Sequence, residues 1–198
     1  MGRMTAAPPP SPPPGRARLT RAVVEVEQHV AAAGWDQPPR LYALVETADL
    51  VAREPALASR LGEAAGGGGG PALGGLTPVE QEDLPRAATL EELLGGIGWP
   101  PEVSGAALVV ERVMLPPEVE AQLAAAQDDD AAGGERDLVD WVARHPQRQE
   151  VRIAVGVLRD GTRECALRMR SHDADDAVLS GPDLVPGLVR ALAGTLED

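Results

Sequence analysis

Two short runs of alternating residues, joined across Arg159-Asp160-Gly161, constrain this chain more than any other feature. Val151, Ile153 and Val155 alternate with Arg152, Ala154 and Gly156, the period of two of a strand with one buried face. A second run, Cys165 to Arg170, follows the Asp-Gly turn signal, so the pair reads as a β-hairpin. A two-residue loop would set Ile153 against Arg168 and Val151 against Arg170, mixing charge into the apolar face. A three-residue loop instead sets Val155 against Cys165, Ile153 against Leu167 and Val151 against Met169. Gly161 then supplies the left-handed residue of a type I turn with a G1 bulge. On the other face, expected to be exposed, Arg152 lies opposite Arg168, and like charges so placed repel unless an anion is shared between them. Arg152, Arg168 and Arg170 are therefore a candidate seat for an anion or an acidic partner. Ala154, Ala166 and Gly156 leave a shallow strip beside it. The carboxylate comes either from this chain or from a partner.

Before the hairpin, residues 1–17 hold a proline run and read as a disordered tail. Leu19, Ala22, Val23, Val26, Val30 and Ala33 then form one helical stripe that Gly34 can end, with Trp35 folding back. Leu41–Thr47 reads as a strand, and Thr47 or Asp49 can cap a second helix that runs to Leu61 and is kinked at Pro55. Residues 62–75 are a glycine-rich linker that lacks the Lys-Ser or Lys-Thr of a phosphate loop. Thr77-Pro78-Val79-Glu80 has the form of a capping box, and Thr89 with Glu92 repeats it ahead of a short helix from Leu90. Ala106–Leu115 is apolar on both faces and reads as a central strand, with a helix possible from Pro116-Pro117 to Ala126. Residues 127–135 form an acidic loop, and a helix around Trp141 ends at His145-Pro146. Asp183 is the expected cap of a last helix carrying Leu184 to Leu196. The expectation is one α+β domain over 18–196, with a mainly antiparallel sheet of about four strands, helices packed on it, and the hairpin followed by a C-terminal helix.

Composition narrows the function classes. All 18 basic residues are Arg, with no Lys, Phe or Asn, a bias that fits the codon usage of a GC-rich bacterial genome. A net charge of −13 argues against a general attraction to nucleic acid or anionic membrane. No run is long and apolar enough to span a membrane, no signal-peptide core is present, and the one cysteine has no partner, so a cytoplasmic setting is expected. The charge is uneven: Arg144 to His172 carries seven Arg against three acids, or +4, leaving −17 elsewhere. Within the chain, Glu118, Glu120, Asp128–Asp130 or the Asp173–Asp176 run can neutralise that segment.

The segments LTRAVVEVEQHVAAAGWDQPPRLYAL from Leu19, WPPEVSGAALVVERVMLPP from Trp99, HPQRQEVRIAVGVLRDG from His145 and LRMRSHDADDAVLSGPDLVPGLVRAL from Leu167 resemble a family of small conserved actinobacterial proteins of unknown function. The similarity spans about 18–196 apart from the linker and the acidic loop. It implies a bacterial cytosolic setting and brings no activity, cofactor or site residue.

Three constellations carry chemistry in principle. His172, Asp173, Asp175 and Asp176 offer an imidazole and three carboxylates, a ligand set for a divalent cation, but no second His lies at ligand spacing and an acidic loop before a helix accounts for them too. Glu111 beside Arg112 puts one charge on a covered face, either as an acid-base group or as a structural ion pair. Cys165 falls on the apolar face, which makes it core and not nucleophile. The preferred reading is a non-catalytic interaction or regulatory module with a protein partner, met by a sheet face or the proline tail, with no cofactor, metal or catalytic residue assigned. The alternative is a metal-dependent or anion-binding enzyme built on the His172 cluster and the hairpin arginines.

Overall fold

A computed structural model describes residues 14–55, 74–84, 87, 89–116, 118–119, 141–142 and 144–197. The expected glycine linker and acidic loop, and most of the expected tail, lie outside these residues, as does most of the helix expected after Pro117.

Among the described residues six strands form one antiparallel sheet in the order β2-β1-β3-β4-β5-β6. The strands are β1 (Arg40–Glu46), β2 (Leu76–Glu80), β3 (Val103–Met114), β4 (Gln149–Leu158), β5 (Arg163–Met169) and β6 (Leu179–Gly181). The α-helices whose full extent lies among the described residues are α1 (Pro14–Ala32), α2 (Thr47–Arg53), α3 (Leu90–Gly95) and α4 (Pro186–Gly194). The fold is thus α+β with a larger sheet than expected, because both edge strands hide their nature in sequence. Thr77-Pro78 is not a helix start: it sits in β2, which pairs only with β1, so Pro78 removes no hydrogen bond from a central ladder. Thr77 Oγ1 lies 2.9 Å from Thr47 Oγ1 instead of capping a turn. β6 is three residues long and too short to show a period.

The hairpin has the pairing that charge segregation dictates: Val155 with Cys165, Ile153 with Leu167, Val151 with Met169 and Arg152 with Arg168. Leu158 N–H donates to Thr162 O at 2.8 Å, closing a loop of Arg159, Asp160 and Gly161 in which Gly161 has φ +82°. β3 is central, flanked by β1 and β4, and apolar on both faces as far as Val110.

Period two divides the sheet between two cores. On one face α1 lays Leu19, Ala22, Val23, Val26 and Val30 against Tyr42, Leu44, Ala107, Val109, Ala154 and Ala166. Each of the larger side chains contributes about 1.5–3 kcal/mol by leaving water. Gly34, with φ +86°, follows the helix in the left-handed conformation that ends it. On the other face, Leu94 of α3 and Val189 and Leu192 of α4 cover Ala106, Leu108, Val110, Ile153, Val155, Cys165 and Leu167. Thr89 accepts from Glu92 N–H at 3.1 Å and caps α3 as its sequence indicates. Asp183 does not cap α4. The helix starts with Pro186 in its first turn after Val185, and Asp183 pairs instead with Arg163 at 2.8 Å.

Candidate functional site

The face of the hairpin expected to be open to solvent is covered. Arg152, Glu164 and Arg168 are each 2% exposed or less, because α1 crosses the strip of small residues beside them. A Cβ added at Gly156 would stand 2.5 Å from Val23 Cγ2 and 2.9 Å from Leu19 Cδ1. The shallow strip is therefore where the helix sits. Leu19, Val23 and Glu27 follow at four-residue steps on one line of α1. The first two pack over Gly156, and the third reaches Arg168.

Arg168 is gripped from several sides. Its Nε and Nη2 donate to Glu27 Oε1 and Oε2 at 2.7 and 2.8 Å, a bidentate pair with both partners buried. Nη2 also donates to Asp175 at 2.7 Å and Nη1 to Asp173 at 3.3 Å. Glu27 first, and then Asp175, hold its pKa above the ordinary guanidinium value against the opposing effect of burial.

Arg152, directly opposite, is served less completely. Its Nη2 donates to Glu111 Oε1 at 2.8 Å and to the carbonyl of Gly34, while Nε and Nη1 are buried without a hydrogen-bond partner. Its guanidinium carbon stands 4.4 Å from the centre of the Trp35 ring, a cation–π contact shielded from water. Trp35 is held there by its indole N–H, which donates to Asp173 at 2.8 Å. That bond first, and Arg168 after it, draw the Asp173 carboxyl below its ordinary pKa. Glu111 Oε2 accepts from the backbone N–H of Asp36 at 2.7 Å and fixes the loop, in which Asp36 takes φ +65°. Glu111 is thus the structural ion pair of the two readings its position allowed.

Arg170, at the outer margin, pairs with both carboxylate oxygens of Asp36 at 3.1 Å and with Glu150. These contacts raise its pKa, Asp36 contributing most, and Arg170 lowers that of Glu150. Three guanidinium groups therefore meet six carboxylates, those of Glu27, Asp36, Glu111, Glu150, Asp173 and Asp175, all from this chain. The chemistry of such an array is that of a clamp. It ties the end of α1 and the loop after it to the far ends of β3, β4 and β5.

Asp173 and Asp175 serve this clamp, whereas His172 is exposed and its Nδ1 lies 2.9 Å from Ser171 Oγ. Asp176 is exposed. Among the described residues no group of three His, Cys, Asp or Glu side chains is arranged to hold a metal ion. Cys165 is fully buried, and burial pushes its thiol above the ordinary pKa. Among the clamp carboxylates sequence reasoning named the Asp173–Asp176 run as a partner for the hairpin arginines and missed Asp36, Glu111, Glu150 and the most deeply buried, Glu27. Its signal was present, an acid within the apolar stripe between Val26 and Val30.

Beside the clamp a groove of about 700 Å³ opens along β3 and α3, with Leu84, Leu90, Leu93 and Val110 among its apolar lining and Glu91 and Arg112 in its wall. No helix among the described residues is long and apolar enough to cross a membrane.

A family model described as PPA1309-like protein matches residues 19–197. No curated protein and no solved structure matches the chain.

Proposed function

The chain belongs to the PPA1309-like protein family, a bacterial family without a characterised function, and we propose that it works as a non-catalytic interaction or regulatory module with a protein partner. The observation that carries this reading is that Arg152, Arg168 and Arg170 are each met by carboxylates of the same chain. In this reading the candidate anion seat is closed from within, and its arginines serve the fold.

Both sheet faces carry helices, so the partner is met elsewhere than on a bare sheet face. The groove beside β3 supports an interaction role. Its volume of about 700 Å³ suits one or two side chains of an extended protein segment, and Glu91 and Arg112 offer opposite charges to orient it. We further propose a cytoplasmic setting in an actinobacterium, supported by the unpaired, buried Cys165 and by basic residues that are all arginine.

The test joins calorimetry with capture. Divalent metals and nucleotides should give no stoichiometric heat, and a native lysate should yield a protein that co-elutes with the chain at fixed stoichiometry. Ala87→Arg and Arg112→Glu, both at exposed positions, should release that protein without moving the thermal midpoint. Tight binding of a metal or a nucleotide, or a partner indifferent to both substitutions, would overturn the reading.

A further inference from the structure

The groove beside β3 runs along a stretch of sheet margin with no strand on it. β1 pairs with β3 from Val45 opposite Val103 to Arg40 opposite Val109, whereas β4 continues the pairing to Gln149 opposite Met114. Among the described residues β3 therefore has a strand on one side only from Val110 to Met114. Proline ends β1 at that point, since Pro38, next in register with Glu111, has no N–H to give. The chain before it leaves the sheet for the α1 face, where the backbone N–H groups of Asp36 and Gln37 donate to Glu111 Oε2 at 2.7 and 3.3 Å. Alternate residues of an antiparallel strand bond to alternate sides. Leu158 N–H bonds to Thr162 O and Arg159 N–H to Ser104 O, so even-numbered residues of β3 bond to β4 and odd-numbered ones turn towards β1. Past the end of β1 the odd-numbered residues are Glu111 and Val113, whose N–H and C=O groups point outward. Val113 is 46% exposed. Glu111 lines the groove although Arg152 holds its carboxylate on the opposite face, so what it gives the groove is main chain. The two outermost strands are poorer templates: β2 contains Pro78 and β6 is three residues long.

We propose that the partner docks here by strand addition, an extended segment of another protein pairing antiparallel with Glu111 and Val113 of β3. This mode of docking rests on the interaction reading of the groove and adds how the partner is held. Side chains alternate between the faces of a strand, so the residue opposite Arg112 enters the groove, where Leu84, Leu90, Leu93 and Val110 select an apolar side chain. The residue two positions before it falls opposite Met114 and diagonal to the exposed Arg112, which selects an acid. Between them, the residue opposite the exposed Val113 is apolar and lies on the other face. The segment therefore reads acidic, apolar, apolar from its N-terminal side. A second copy of this chain brings its own charge of −13 and its own Arg112 to the same margin, so the occupant is a different protein.

The probe is a fluorescently labelled, end-blocked peptide, Ser-Glu-Val-Leu-Thr-Ser, titrated with the full-length protein and read by anisotropy. It should bind saturably with a Kd below ~1 mM. Its valine N–H faces β3, so N-methylation there should weaken binding about tenfold or more, through one lost hydrogen bond and the bulk of the methyl group. Its leucine N–H faces away, so N-methylation there should leave the affinity unchanged. On the protein, Val113→Pro removes an outward N–H that β4 does not use, and should weaken binding by a similar factor, whereas Val113→Ile should bind normally. No saturation up to ~1 mM peptide would overturn strand addition. So would equal tolerance of the two methyl groups, which needs no folded variant to interpret, or dimerisation of the chain that Val113→Pro abolishes. A peptide released by Ala87→Arg but indifferent to where it is methylated would sink strand addition and leave the groove as the partner site; binding unmoved by Ala87→Arg would count against the groove itself.

Discussion

Arg168 and Glu27 set the energetics at the scale of the residue. Both are buried and joined by two short bonds, so removing Arg168 strands the Glu27 charge, and removing Glu27 leaves Arg168 only the exposed Asp173 and Asp175. That costs about 3–5 kcal/mol, whereas replacing both with apolar side chains of similar volume is often neutral. Glu27→Ala should therefore lower stability by about 3–5 kcal/mol in urea melts, and Glu27→Leu combined with Arg168→Met should recover most of the loss. A double variant no better than the single one would show that the pair supplies more than charge compensation. Arg152 should be less sensitive, because only Nη2 of its three nitrogens is engaged. Arg152→Ala should cost about 1–3 kcal/mol by the same measurement. The opposition of Arg152 and Arg168 was legible from period and turn length alone. Of the carboxylates around Arg168, the Asp173–Asp176 run was legible too, whereas Glu27 was not, because a lone acid in a helical stripe reads as a boundary of the apolar face until the helix is placed over a charged strand.

Gly156 decides how closely α1 can lie on the sheet, which makes it the controlling residue at the scale of the element. A methyl group there meets Val23 and Leu19 inside contact distance, so the helix must lift or two side chains must leave their rotamers. Overpacking of this kind costs about 1–3 kcal/mol. Gly156→Ala should lower the urea midpoint accordingly, and Val23→Ala added to it should restore part of the loss by making room. If the two substitutions prove simply additive, the contact between them is not what limits the approach. A glycine inside an alternating strand pattern signals close approach by another element, though not which one. The edge strand β2 shows the converse. Thr77-Pro78-Val79-Glu80 satisfies every local rule for starting a helix, and only its pairing with β1, some thirty residues earlier, makes it a strand. Local signals located α3 and the hairpin because the bonds that form them are local too.

At the scale of the whole molecule, the titrating groups lie at two separated ends of the pH range. Glu150 and Asp173 in the clamp, and Asp160 in the hairpin loop, sit below their ordinary values of 4.5, 3.8 and 3.8. Arg170 causes the first, the Trp35 indole the second and Thr162 the third. Between those ordinary values and the lower native ones the unfolded chain binds more protons, so stability rises with pH there and is lost as pH falls. Cys165 and Tyr42 sit above their ordinary values of 9.0 and 10.0, both chiefly through burial. The folded protein keeps these two protons after the unfolded chain has released them, so their contribution is complete below about pH 9 and fades as pH rises further. The urea midpoint should therefore be level between about pH 5 and 8.5 and fall on both sides. Asp173→Asn keeps an acceptor for Trp35 but cannot titrate, so it should make the acid limb shallower. Cys165→Ala should lower the level stretch by leaving a small cavity and flatten the first part of the alkaline limb. An acid limb of unchanged slope in both Asp173→Asn and Glu150→Gln would mean that the titration of these two carboxylates adds nothing to stability. The arginines they surround would then be held by Glu27, Asp36, Glu111 and Asp175.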